Sequence, residues 1–201
     1  MKGNCSGIIL AGGRSLRMQG NNKAFLKIGG IRLIDRVIDT LLSIFDQVLI
    51  VAKDASMYEK FNLPVVEDLL DAQSPLAGIH AGLLSVSTDF AFFVGCDTPF
   101  IKREVIEILL DEIEQQADVI VPYSGLYYQP LCAVYSKRCV PVIEAQLEAG
   151  DMKVDHFFYR LNVKTVSYDL FEGVDRNLLS FFNVNDPSDL HRAEQLLRSG
   201  P

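Results

Sequence analysis

A glycine-rich stretch with basic side chains follows the first apolar run of the chain. It spans residues 10–23, reads LAGGRSLRMQGNNK and contains Gly12, Gly13, Arg17 and Lys23. Glycines let the backbone approach a ligand closely, and successive N–H groups can cradle phosphate oxygens while Arg17 and Lys23 neutralise their charge. The spacing matches neither a Walker A motif nor a dinucleotide fingerprint. The stretch therefore predicts a different kind of triphosphate-binding loop, and the alternative is a strand-to-helix turn with incidental basic residues.

A single carboxylate follows another apolar run. Asp97 comes shortly after the run at residues 90–94. A lone carboxylate at the end of a strand suits Mg²⁺, which takes few protein oxygens and completes its octahedron with water and phosphate. The alternative is that Asp97 caps a following helix, but Thr98 and Pro99 already supply the turn and the first helical residue. We therefore predict that Asp97 is a magnesium ligand.

Two amide side chains lie near the end of the chain. Asn183 and Asn185 belong to the string FFNVNDPSDL. If this string is extended, its period of two places Asn183 and Asn185 on one face, and Phe182 and Val184 on the other. Amides on one face can bind metal-bound water or a substrate phosphate, whereas Asn185 could also be a turn residue before the terminal helix. We favour the site role for Asn185, and for Asn183 both interpretations stay open.

The elements that must position these residues alternate between strands and helices. Continuous apolar runs at residues 7–11, 48–52, 90–94 and 119–121 are typical of parallel strands that are buried on both faces. Amphipathic stretches at residues 31–44 and 104–113 indicate helices between them. The pattern predicts one α/β domain over residues 1–201, Rossmann-like, with a mostly parallel central sheet and helices on both faces. Ligands then bind beyond the carboxyl ends of the strands.

The second half of the chain follows a looser pattern. It predicts an antiparallel strand within residues 126–135, a helix at 139–147, a strand at 163–168 and a terminal helix at 187–197. Asp186 and Pro187 supply the start of that last helix. We expect these elements to add an irregular cap to the same sheet.

Composition and charge restrict the function classes. The net charge of −7 argues against a nucleic-acid partner. The first 34 residues nevertheless contain six Lys or Arg and no Asp or Glu. This concentration of positive charge in an acidic protein favours an anionic ligand, and the alternative is a chance cluster of solvated charges.

The cysteines and histidines indicate neither disulfides nor a metal centre. The four cysteines show no C-x-x-C spacing, which predicts reduced and mostly buried thiols, and the three histidines are isolated. The chain start has no long apolar signal region, and no run of about 18 apolar residues occurs. We therefore expect a cytoplasmic protein without a membrane partner.

The longer string around the glycines is specific. L-A-G-G-x-S-x-R-M at residues 10–18, with Lys23 five residues after Met18, resembles the signature of the molybdenum cofactor guanylyltransferase family. The strings CDTP at residues 96–99 and FFNVNDPSDL at residues 181–190 are similar to two further motifs of that family, and the resemblance covers about residues 6–198. One departure is Gln19, which stands where the family usually has glycine.

A further motif, at residues 74–82, is similar to the family's G-P-L-A-G helix start, with Ser74 in place of glycine. Its small residues, among them Gly78 and Gly82, would let a helix approach either a ligand or the sheet closely. The sequence leaves both interpretations open.

The resemblance implies a guanylyltransferase fold and site. It implies that the loop binds the GTP phosphates and base edge, that Lys23 contacts phosphate, that the acid pair ending in Asp68 contains a nucleotide contact, and that Mg²⁺ binds Asp97. Asp68 could instead be an ordinary surface acid. The predicted nucleotide-binding residues are Leu10, Ala11, Gly12, Gly13, Lys23, Asp68 and Asp97. The predicted catalytic residues are Arg17, Lys23, Asp97 and Asn185.

The implied reaction is attack by the terminal phosphate of molybdenum-bearing molybdopterin on the α-phosphorus of GTP. Pyrophosphate leaves and a guanine dinucleotide cofactor forms, with molybdoenzyme apoproteins or other cofactor-assembly proteins as candidate protein partners. Alternatives are cytidylyl transfer to the same pterin, whose enzymes usually read L-A-A-G, and a sugar-phosphate nucleotidyltransferase, which is typically longer. A non-catalytic nucleotide- or cofactor-binding chaperone is the alternative from another class.

Overall fold

The computed structural model describes residues 4–12, 17–18, 21–67 and 74–199, with only the backbone described at Arg17, Met18, Asn21 and Ser199. In chain order the strands are β1 (Cys5–Leu10), β2 (Arg17–Met18), β3 (Asn21–Asn22), β4 (Lys27–Ile28), β5 (Ile31–Arg32), β6 (Val48–Ala52), β7 (Val65–Glu67), β8 (Phe90–Gly95), β9 (Val119–Tyr123), β10 (Cys132–Ser136) and β11 (Val163–Ser167). The α-helices are α1 (Leu33–Leu42), α2 (Pro75–Ser85), α3 (Arg103–Asp111), α4 (Val140–Glu148) and α5 (Pro187–Ser199).

Seven strands form one sheet in the order β11-β9-β10-β8-β1-β6-β7. All neighbouring pairs are parallel except those of β10, which runs antiparallel to both β8 and β9. The pairs β2-β3 and β4-β5 are short antiparallel hairpins outside this sheet. The predicted α/β class, the mostly parallel sheet and the antiparallel strand in the second half are confirmed.

The two faces of the sheet are covered by separate apolar clusters. Side chains alternate along each strand, so Ile9 and Phe92 enter one cluster with α1 and α3, whereas Ile8 and Phe93 enter the other with α2 and α4. All four of these side chains are fully buried. Because both faces are covered, the central strands need continuous apolar sequence rather than alternation.

Helix α2 lies close to the sheet because it carries glycines on the contacting face. A Cβ at Gly82 would lie 2.7 Å from a ring carbon of Phe93 and 2.9 Å from Ile8, and one at Gly78 would lie 3.0 Å from Leu10. Helix-to-sheet packing therefore accounts for these small residues. Ser74 begins the helix, since its Oγ accepts from the Leu76 N–H at 3.1 Å.

Two of the differences between predicted and observed element boundaries have a visible cause. The helix expected from residue 31 begins at Leu33, because Ile31–Arg32 pairs with Lys27–Ile28 across a turn in which Gly29 and Gly30 have positive φ. The strand expected within residues 126–135 begins only at Cys132 and ends at Ser136. The residues before it form a turn in which the Ser124 hydroxyl accepts from the N–H of Tyr127 at 3.1 Å. A local side-chain hydrogen bond thus replaces the sheet ladder.

The cysteines are free and buried, as predicted. Burial raises the pKa of the Cys5, Cys132 and Cys139 thiols to about 12. These thiols are therefore neutral at physiological pH. In the part of the chain that the structure describes, no helix is long and apolar enough to cross a membrane.

Candidate active site

The candidate site lies at the carboxyl edge of the sheet, beyond β1 and β8. These strands are parallel neighbours, with Leu10 opposite Gly95. The Cys96 N–H continues the pairing by donating to the Leu10 carbonyl at 3.0 Å. The segments that follow the two strands, which contain Gly12 and Asp97, therefore leave the sheet side by side.

Lys23 connects these segments with the end of the chain. Its ammonium donates to Asp97 Oδ2 at 2.7 Å and to Asn185 Oδ1 at 2.8 Å. The Lys23 side chain is only 2% exposed, whereas that of Asp97 is 23% exposed. Lys23, Asp97 and Asn185 are three of the four predicted catalytic residues. They come from segments far apart in sequence and meet at the ammonium of Lys23.

The position of Asp97 is set by the turn after β8 and not by helix capping. The Thr98 N–H donates to the Gly95 carbonyl at 3.3 Å, and α3 begins only at Arg103. A Cβ on Gly95 would overlap Asp97 Oδ1. The carboxylate of Asp97 therefore folds back over Gly95, in the space that a larger side chain at residue 95 would occupy. The structure therefore removes the helix-capping interpretation of Asp97.

The Asn185 segment reaches the site without forming the strand that the sequence predicted. Residues 182–185 have no regular secondary structure. One backbone bond, from the Val184 N–H to the Asp97 carbonyl at 2.9 Å, fastens the segment to the turn after β8. Val184 is fully buried while Asn183 and Asn185 are exposed, so the predicted alternation of faces holds. Asn183 accepts from the Thr98 hydroxyl at 3.1 Å and so lies beside Asp97.

Asn185 is not the residue that begins the terminal helix. Asp186 Oδ1 accepts from the N–H groups of Ser188 at 2.8 Å and Asp189 at 3.0 Å, and so caps α5. These hydrogen bonds lower the pKa of Asp186 below its ordinary value, and the bond from the Asp189 N–H has the largest effect. Asp189 in turn accepts from the Asn185 N–H at 2.8 Å. The Asn185 side chain therefore stays available to the site.

The donor set fits a hard divalent cation. Asp97 Oδ2 and Asn185 Oδ1 both accept from the Lys23 ammonium, which leaves Asp97 Oδ1 as the carboxylate oxygen that Lys23 does not use. Within the described ranges there is no group of three or more His, Cys, Asp or Glu that could hold a metal. Mg²⁺ commonly binds through one or two protein oxygens and completes its shell with water and substrate phosphates. Asp97 thus fits Mg²⁺ better than a metal that needs a full protein cage.

The start of the glycine-rich loop is fixed by the fold. The Ala11 N–H donates to the Val51 carbonyl at 2.8 Å, and the Ala11 carbonyl accepts from the Tyr58 hydroxyl at 3.1 Å. The Leu10 side chain is buried beneath α2. Gly12 is exposed, and no described atom lies within 4 Å of a Cβ built on it. Leu10 and Ala11 therefore determine where the loop leaves the sheet.

Some of the predicted residues cannot be located. Gly13 and Asp68 lie outside the described residues. For Arg17 only the backbone is described, and it pairs with Asn22 in the β2-β3 hairpin. This pairing places the Arg17 backbone next to the turn that carries Lys23. The roles predicted for these three residues stay predictions.

Sequence reasoning missed two residues at this site. Asn22 caps the turn Lys23–Phe25, since its Oδ1 accepts from the Ala24 N–H at 3.0 Å, and its Nδ2 donates to the Tyr58 hydroxyl at 3.0 Å. Asn22 is adjacent to Lys23 and could have been identified as a cap from its residue type. Tyr58 carries no local signal, because its partner Ala11 is 47 residues away.

Comparison with known proteins identifies a matching family. Residues 7–164 match the family described as the MobA-like NTP transferase domain. This span runs from β1 through the first part of β11 and includes Lys23 and Asp97. Asn185 lies beyond it.

Three similar proteins cover nearly the whole chain. The molybdenum cofactor guanylyltransferase of Desulfosudis oleivorans is 44% identical over 195 residues, which are 97% of this chain and 96% of that protein. A probable molybdenum cofactor guanylyltransferase of Pelotomaculum thermopropionicum is 40% identical over 94% of this chain and 91% of that protein. The crystal structure of molybdopterin-guanine dinucleotide biosynthesis protein A from Archaeoglobus fulgidus superposes with a TM-score of 0.85 at 29% identity. The superposed region covers 97% of this chain and 100% of the Archaeoglobus fulgidus chain.

Proposed function

The chain belongs to the MobA-like NTP transferase family, and from this premise we propose that it transfers GMP from GTP to the terminal phosphate of molybdenum-molybdopterin. Pyrophosphate is released and molybdopterin guanine dinucleotide is formed. The observation that carries the proposal is the meeting of Lys23, Asp97 and Asn185 at the edge of the sheet where the segment containing Gly12 also leaves it. The names of the similar proteins support guanylyl transfer in particular.

Lys23 is proposed to hold a phosphate oxygen. A lysine ammonium has three N–H donors, of which Asp97 and Asn185 take two. Among the described residues these are its two side-chain acceptors, so the third donor is proposed to bind a phosphate oxygen in a position that the other two hydrogen bonds fix. Because Lys23 is almost fully buried, this contact is stronger than one with a solvated lysine.

Asp97 is the residue that would hold Mg²⁺. Lys23 bonds Asp97 through Oδ2, and Oδ1 is the oxygen that remains for the metal. Bound Mg²⁺ neutralises charge that develops on the phosphate oxygens. Asn185 and Lys23 orient the carboxylate, and the Gly12 backbone borders the space for the phosphates.

The reaction needs no nucleophile from the protein. The attacking atom is a phosphate oxygen of the acceptor, so the residues act by positioning the reactants and by balancing charge. Arg17, through its side chain, is proposed to add positive charge on the triphosphate. Asn185 and Asn183 are proposed to face the acceptor phosphate.

Free and buried thiols support a location in a reducing compartment, which we propose is the cytoplasm. The product must then pass to a molybdoenzyme or to another cofactor-assembly protein. Such a partner is a proposal that follows from the chemistry of the product.

The experiment measures pyrophosphate release from GTP, CTP and UTP with Mg²⁺ and molybdenum-molybdopterin. We expect release with GTP, together with a dinucleotide product detected by mass spectrometry. Release with CTP alone would replace the proposal with cytidylyl transfer. Binding of GTP without release from any nucleotide would replace it with a non-catalytic binding protein.

A further inference from the structure

A buried tyrosine hydroxyl joins two parts of the glycine-rich region. Tyr58 donates to the Ala11 carbonyl at 3.1 Å and accepts from the Asn22 amide Nδ2 at 3.0 Å. Tyr58 is 1% exposed. The hydroxyl has one proton and accepts through its lone pairs, so the two bonds form a single chain with one direction. Such chains are mutually strengthened in a low-dielectric interior.

The two partners of Tyr58 are the two ends of the loop. Ala11 directly follows β1, and Asn22 ends β3 and caps the turn that carries Lys23. Gly12 and β2 lie between them in the chain. The hydroxyl therefore fixes the distance between the start of the loop and Lys23.

Tyr58 is itself held in place by packing. It follows the turn Ala55–Met57, which Asp54 caps through the Ser56 N–H at 3.1 Å. Its ring lies 5.4 Å from that of Phe25 and 6.2 Å from that of Phe61, measured between centroids. These ring contacts do not depend on the hydroxyl, so a phenylalanine at this position keeps the packing and loses only the two hydrogen bonds.

Burial also determines the protonation of this hydroxyl. Removal from water raises the pKa of Tyr58 well above its ordinary value. The proton that Tyr58 donates to Ala11 is therefore retained throughout the pH range in which the protein is studied.

We propose that Tyr58 is a positioning residue that fastens both ends of the glycine-rich loop at the spacing required to bind the triphosphate. This inference rests on the proposed function. Tyr58 acts through Ala11 and Asn22 and does not contact the nucleotide. Because the loop would hold phosphates in the ground state and in the transition state alike, loss of the hydroxyl should raise KM for GTP and leave kcat nearly unchanged.

The test compares Tyr58→Phe with Tyr135→Phe. Tyr135 is a matched control, since it is fully buried and its hydroxyl donates to the Pro130 carbonyl at 2.7 Å. Each variant loses a buried hydroxyl with its hydrogen bonding. We expect both to show a lower Tm. Only Tyr58→Phe should raise the Kd for GTP with Mg²⁺, and the KM, by about fivefold to tenfold, the scale of one or two net hydrogen bonds.

A third variant tests the chain of bonds. Asn22→Ser keeps a side-chain oxygen able to cap the turn but cannot reach Tyr58. We expect the double variant with Tyr58→Phe to raise the Kd no more than Asn22→Ser alone, because the two residues act through one connection.

The outcomes separate this inference from the proposed function. If wild-type protein binds and turns over GTP and Tyr58→Phe has the same Kd, the inference is overturned and the function stands. Equal increases in Kd for both tyrosine variants also overturn it, because a general loss of stability then explains them. Wild-type protein that binds no GTP overturns the proposed function and the inference built on it.

Discussion

Replacing Asp97 with alanine should both stop turnover and destabilise the protein. The Lys23 side chain is 2% exposed, and Asp97, at 2.7 Å from its ammonium, is the counter-ion. Without the carboxylate, only the Asn185 amide oxygen at 2.8 Å remains among its described partners. A charge that stays buried without a counter-ion is costly.

The magnitude follows from the burial of the two partners. Breaking a buried ion pair by removing one partner typically costs about 3–5 kcal/mol. Asp97 is 23% exposed and Asn185 remains, so we expect a cost at or just below the lower limit of this range, about 2–3 kcal/mol. For a chain of this length, this lowers Tm by about 4–12 °C. Lys23→Met leaves a carboxylate that water can reach, and should cost about 1 kcal/mol or less.

The double variant makes the reasoning testable. Asp97→Ala combined with Lys23→Met has no unpaired buried charge, so it should be more stable than Asp97→Ala alone. The measurement is urea and thermal unfolding of the three variants and wild type, followed by circular dichroism. Asp35→Ala is the control, because its pair with Arg32 is about 30% exposed on both sides and should contribute less than about 1 kcal/mol. A loss for Asp97→Ala no greater than for Asp35→Ala, or strictly additive losses in the double variant, would refute this account.

Four further predictions concern binding, metal, thiols and packing. Lys23→Ala should weaken GTP binding by no more than about 3 kcal/mol, the scale of one charge-assisted hydrogen bond, and unchanged affinity by calorimetry would reject its phosphate role. Chelation with EDTA should stop pyrophosphate release and weaken GTP binding, and added Mg²⁺ should restore both. Burial raises the pKa of Cys5 to about 12 from a model-peptide value near 9, so iodoacetamide at about pH 8 should label the native protein slowly and the unfolded protein fast. Rapid labelling of native Cys5 would contradict its burial. Gly82→Ala should destabilise by about 1–3 kcal/mol because its Cβ would lie 2.7 Å from Phe93, while Gly173→Ala, with no described atom within 4 Å of its Cβ, should be close to neutral.

The central strands could be predicted from sequence because burial on both faces leaves a local signal. The apolar run at residues 90–94 became β8 (Phe90–Gly95), and Asp97 emerged at the edge where its position after that run placed it. Local signals failed where a tertiary contact decided the outcome. Ile31–Arg32 has the helical pattern of the following residues, yet it pairs with Lys27–Ile28 because a turn with two glycines allows the hairpin.

The site itself was only partly predictable. The residue types of Lys23, Asp97 and Asn185 indicated chemistry, but their meeting joins positions that are 74 and 162 residues apart. The alternation of faces predicted for residues 182–185 holds, but no strand produces it. One hydrogen bond, from the Val184 N–H to the Asp97 carbonyl, holds this segment in place instead. Tyr58 was missed because nothing near it in sequence shows that its hydroxyl reaches the loop.

The charge balance of the free site explains why nucleotide and metal should bind together. Lys23 and Asp97 neutralise each other, so this ion pair has no net charge with which to attract an anionic ligand. A triphosphate brings several negative charges, and the single remaining donor of Lys23 cannot balance them. Asp97 would then repel the phosphates unless a second cation lies between them. We therefore expect the carboxylate that pairs with Lys23 in the free protein to make Mg²⁺ a condition for tight binding of GTP.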